Sequence, residues 1–88
     1  MTDRIVARSV DLEWREVEGE LVLLDLRTQC YMSLNRTGAA LWPLMVDGTD
    51  RSHLIEALVS RHGVTSEVAT RDVDTLVVQL ADADLLQT

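Results

Sequence analysis

The sequence predicts a two-layer α+β domain, a three-stranded antiparallel β-meander followed by three α-helices. Three observations carry this. Residues 12–34 alternate apolar and polar side chains with period two, residues 35–84 change to helical spacing, and a length of 88 residues admits one core. A chain this short buries roughly 60–65 % of its unfolded surface, enough for one aliphatic core but not for a deep catalytic cleft as well. The whole of 1–88 therefore reads as a single domain, with residues 1–10 a loose or partly extended lead-in.

Each element has its own local signal. Leu12, Trp14 and Val17 are interspersed with Glu13, Arg15 and Glu16, which makes a first strand. Gly19-Glu20 stands where a tight hairpin needs a positive φ. Residues 21–26, rich in Leu and Val, form a second strand, and Arg27-Thr28 a second polar turn. The third strand is 29–34, in which Cys30, Met32 and Leu34 alternate with Tyr31 and Ser33. Short connections order such strands 1-2-3. Asn35 then reads as the N-cap of a helix over 36–46, with Pro43 expected to kink it or stop it early. Asp47-Gly48-Thr49 closes that helix and Asp50 caps a second, whose Leu54, Ile55, Leu58 and Val59 form a stripe that ends at Gly63. Thr65 or Ser66 caps a third and longer helix, with Val73, Leu76, Val77 and Leu80 at i, i+3, i+4 and i+7.

Composition narrows the function. The net charge is −7, with eight Arg, no Lys and fifteen acidic residues, which argues against nucleic acid. Three helices beside a sheet suggest a winged-helix reader. Its recognition helix over 66–84 would carry Arg71 as its sole cation against Glu67, Asp72, Asp74, Asp82 and Asp84, and docking that on phosphates is repulsive. No segment has the apolar length of a membrane span or the core of a signal peptide, so a cytoplasmic protein with no membrane partner is expected. Cys30 is the single cysteine, and with His53 and His62 it matches neither a metal-ligand spacing nor a nucleophile motif. No enzyme chemistry, metal or cofactor is expected.

The informative contrast lies between the two edges of the meander. Asp11, Glu13, Arg15, Glu16 and Glu18 charge the first strand and guard it against pairing with another chain. The third strand, Gln29-Cys30-Tyr31-Met32-Ser33-Leu34, carries neither charge nor Pro. Two readings are open. Either a peptide adds to this edge as a strand, or a helix or a second copy of the chain covers it, the second copy making the domain a homodimerisation unit.

Tyr31-x-x-Leu34-Asn35, then Gly38, Leu41-Trp42, Leu44-Met45 and Asp47-Gly48-Thr49, resembles the PqqD family, whose members are also known as RiPP recognition elements. Pro43 departs slightly from the usual helical run. The resemblance implies a winged-helix-like domain that binds the leader segment of a ribosomally made precursor peptide on its third strand, against its third helix. Carried onto this chain, the strand surface is Cys30, Tyr31, Met32, Ser33 and Leu34, and the helix wall is drawn from Ala69, Asp72, Val73 and Leu76. An acidic, free-standing chain of this length looks most like the recognition protein of lasso-peptide clusters. That implies as partners the precursor leader, a separate cysteine-protease-like leader peptidase and a cyclase. Thioether-forming pathways and quinone-cofactor biosynthesis are the other settings that the resemblance leaves open.

Overall fold

A computed structural model describes residues 4–87. The order of elements is β1 (Arg4–Ala7), β2 (Leu12–Val17), β3 (Glu20–Asp25), β4 (Cys30–Leu34), α1 (Arg36–Asp47), β5 (Thr49–Asp50), α2 (Arg51–His62), α3 (Ser66–Asp82) and β6 (Leu86–Gln87). The meander and the three helices are present as the sequence implies, with sheet order β2-β3-β4. A second sheet, β5-β1-β6, stands beside it.

That second sheet decides between the loose and the partly extended lead-in in favour of the extended one. Arg4–Ala7 is a strand, paired antiparallel with Thr49–Asp50 on one side and Leu86–Gln87 on the other, and Ile5 and Ala7 are buried. Residues 1–3 of the lead-in lie outside the described residues. The first hairpin turn is also displaced by one residue. Glu18 (φ 54°) and Gly19 (φ 84°) form it, and Glu20 already pairs with Val17. Two consecutive positive φ values give the turn whose twist matches that of the strands.

The caps hold α1, α2 and α3 at their starts. Asn35 Oδ1 accepts from Gly38 N–H at 2.9 Å, Asp50 Oδ1 from His53 N–H at 2.9 Å, and Thr65 Oγ1 from Val68 N–H at 3.2 Å. Pro43 does not stop α1, which continues to Asp47. Its ring lies on the exposed side of the helix, where water can take the place of the N–H that the Ala39 carbonyl loses.

The core lies between the sheets and the helices. Leu21, Leu23 and Leu34 face Leu41, Trp42 and Met45 of α1, Leu54 and Leu58 of α2, and Ala69, Val73 and Leu80 of α3. Trp14 of β2 meets Trp42 edge-on, with ring centroids 5.4 Å apart and an interplanar angle of 74°. Gly38 brings α1 close to β4 and α3, since a Cβ there would lie 3.0 Å from Leu34 Cβ and 3.4 Å from Leu76 Cδ1.

Candidate functional site: a groove between β4 and α3

β4 pairs with β3 alone among the described residues, so its other edge is open. The register decides which backbone groups that edge offers. The two-residue turn makes Val17 and Glu20 a hydrogen-bonded pair, and Leu26 N–H donates to Asp11 C=O at 2.9 Å in the same phase. Alternation then points the backbone groups of Leu21, Leu23 and Asp25 towards β4, where they meet Leu34, Met32 and Cys30. Tyr31 and Ser33 are left to present their N–H and C=O groups outward. Gln29 is not part of the strand. It sits in the preceding turn at φ 59° and donates to Asp25 C=O at 2.7 Å.

Side chains divide in the same way. Cys30, Met32 and Leu34 share the inner face, and Tyr31 and Ser33 the outer. Leu34 is buried, Met32 half-buried and Tyr31 75 % exposed. Along the inner side of this edge lie two hollows that together form the groove, its far wall made by α3 at one end and by the segment after α3 at the other. One of about 350 Å³ lies at the Leu34 end, between Ser33, Asn35 and Thr37 on one wall and Arg71, Asp72, Thr75 and Gln79 on the other. One of about 200 Å³ lies at the Cys30 end, lined by Leu12, Leu23, Met32 and Leu85, with Tyr31 and Ala83 at its rim. α3 therefore runs along the groove in the sense opposite to β4. At the Cys30 end the walls are tied together by Arg27 Nη2 to Asp84 Oδ2 at 2.7 Å.

All five strand residues read from the sequence line these hollows. Of the helix residues, Asp72 and Leu76 line the larger one, whereas Ala69 and Val73 have no exposed surface and lie beneath it in the core. The exposed part of the wall comes instead from Arg71, Thr75 and Gln79. Those positions recur at helical spacing beside the apolar stripe, so they were readable as a polar face, though not as the side of a groove.

The ionisable groups whose titration is clearly shifted stand elsewhere. Hydrogen bonds from the His53 backbone and ring and from the Ser52 hydroxyl lower the Asp50 carboxyl to about 2. The hydrogen bonds between Arg51 and Asp74, at 2.7 and 2.9 Å, raise the guanidinium and lower the carboxyl. Both sets join secondary elements at the surface. No cluster of three or more His, Cys, Asp or Glu placed to hold a metal ion occurs among the described residues, and no described helix is long and apolar enough to cross a membrane.

No curated protein sequence matches the chain. Among solved structures it is similar to TbiB1 in complex with the TbiA(beta) leader peptide, at 26 % identity over 90 % of this chain and 92 % of that one, with a TM-score of 0.79. It is similar also to lasso peptide synthetase B1 complexed with the leader peptide, at 26 % identity over 96 % and 98 %, with a TM-score of 0.80. The family model for coenzyme PQQ synthesis protein D (PqqD) matches residues 20–86, from the start of β3 to the first residue of β6. The chain belongs to the PqqD family.

Proposed function

We propose that this chain binds the leader segment of a ribosomally made precursor peptide as an added strand on β4, against α3, in a lasso-peptide pathway. It then presents the precursor to a separate cysteine-protease-like leader peptidase and to a cyclase in the cytoplasm, and carries out no chemistry itself. The observation that carries this reading is the uncharged edge at Tyr31 and Ser33, open beside a groove with two hollows. The leader-peptide complexes formed by the similar lasso-peptide proteins support it.

The energetics require both walls. Backbone hydrogen bonds contribute only ~0.5–1.5 kcal/mol each, so pairing at two edge residues does not hold a peptide once its ordering cost is counted. Side chains seated in the hollows supply the remainder. Binding without turnover serves an enzyme by raising the precursor's local concentration beside it.

The test is a titration of labelled leader, taken from the precursor encoded nearest this chain, against the wild type and Ser33→Pro. Proline at 33 deletes an outward N–H and leaves the β3–β4 ladder intact. Loss of binding in a folded Ser33→Pro variant supports the reading, and unchanged affinity refutes strand addition. Light scattering of the free protein adds a separate check, because a dimer dissociated by Ser33→Pro would indicate that two β4 edges pair with each other.

A further inference from the structure

The two hollows differ in chemistry, and the difference specifies what a bound peptide must carry. The smaller one is apolar, walled by Leu12, Leu23, Met32 and Leu85. Its one carboxylate, Asp25, is already engaged by Arg8 Nη2 at 2.8 Å and by Arg27 N–H at 3.0 Å. The larger one mixes donors and acceptors. Arg71 and Asp72 are consecutive residues on its helix wall, and neither enters an ion pair among the described residues. On the opposite wall Asn35 spends its carbonyl oxygen on the Gly38 N–H, which leaves its amide N–H₂ as a donor.

A charged side chain entering the larger hollow meets one attractive and one repulsive partner while it loses hydration, and a purely apolar one strands Asp72 and the Asn35 amide. A neutral group with both a donor and an acceptor satisfies the set. The hollows lie at opposite ends of β4, and four residue steps from Cys30 to Leu34 cover about 13 Å of extended chain. Resting on the peptide-binding reading above, we propose that the groove selects peptides with an apolar side chain for the Cys30 end and, about four residues away, an amide or hydroxyl side chain for the Leu34 end.

The experiment is a display selection of short random peptides on the full chain, repeated on an Asp72→Ala, Gln79→Leu double variant and on Ser33→Pro. The expected result is enrichment of an apolar residue paired with Asn, Gln, Ser or Thr about four positions away, the even spacing that keeps both side chains on one face of an extended chain. On the double variant the apolar preference should persist and the polar one vanish. The best wild-type peptide should then bind roughly tenfold to a hundredfold more weakly, as loss of one hydrogen bond to a carboxylate and one to a neutral amide implies. Enriched peptides that are apolar at both positions, or that bind the double variant equally well, overturn the proposal while leaving peptide binding in place. Failure to enrich any peptide above Ser33→Pro overturns both, so the two failures can be told apart.

Discussion

Arg8 Nη2 lies 2.8 Å from Asp25 Oδ1 beneath the β2–β3–β4 sheet, each side chain only 11 % exposed, in a contact close enough for an ion pair but poorly aimed for a hydrogen bond. The Nε and Nη1 of Arg8 have no acceptor, so the pair keeps a cation buried at a cost. Asp25 uses the same oxygen to receive Arg27 N–H and so fixes the turn before β4. Asp25→Ala should lower stability by about 3 kcal/mol, because it strands the guanidinium. Replacing both partners, Arg8→Met with Asp25→Leu, should recover most of that loss. Urea unfolding measures both, and equal losses in the single and double variants would count against the pair as the cause.

Proline separates the inner and outer positions of β4. Met32→Pro deletes an N–H aimed at β3 and leaves a carbonyl of Leu23 unpaired, which should cost about 1–3 kcal/mol of stability. Ser33→Pro deletes an outward N–H and should leave the unfolding midpoint nearly unchanged. The reverse order would show that the assigned hydrogen-bond phase is wrong.

Asn35 joins the edge strand to α1 through a single cap bond. Asn35→Ala should cost about 1 kcal/mol. In a domain of this size that corresponds to a fall of roughly 4–8 °C in Tm, which calorimetry resolves. Asn35→Asp, which retains the accepting oxygen, should restore the melting point.

Asp50 gives a pH signature. Its folded carboxyl is lowered from 3.8 to about 2, so folding favours the ionised form. The resulting stabilisation is complete above the unfolded value of 3.8 and fades as pH falls from there towards 2. The stability gap between wild type and Asp50→Asn should therefore be constant near neutral pH and shrink between about pH 4 and pH 2. Thermal melts across that interval measure it, and a gap that does not change with pH would place the effect outside the carboxylate.

Much of the fold could be read from the chain because its signals are local. Period-two alternation marked the meander, and Asn35, Asp50, Thr65 and Gly63 marked helix ends where the caps and the left-handed terminus occur. The second sheet could not be read this way. Arg4–Ala7 has four residues, and its partners are two-residue strands that no pattern announces. The groove was half legible. An uncharged edge beside a charged one identified β4. The i, i+3, i+4, i+7 stripe identified the core side of α3. The resemblance drew the wall from Ala69, Asp72, Val73 and Leu76, of which Ala69 and Val73 fall in the core while Asp72 and Leu76 line the hollow beside Arg71, Thr75 and Gln79. Polar residues on such a flank look like any solvated surface until the opposing strand is in place.

The pairing of β1 with β6 couples the opening of two strands that lie far apart in the chain. Val6 faces Gln87 and Ala7 faces Leu86, Arg8 N–H donates to Leu85 C=O at 2.8 Å, and Gln87 Nε2 to Ala7 C=O at 3.2 Å. Closing so long a loop costs little more than closing one half its length, since the entropy grows only with the logarithm of loop size. Fraying at Leu86–Gln87 strips β1 of one neighbour and begins to uncover Ile5 and Ala7, so it draws on core burial rather than on two strand residues alone. Amides near positions 7 and 87 should therefore exchange with solvent at closely matched rates, as members of one cooperative unit whose parts are remote in sequence.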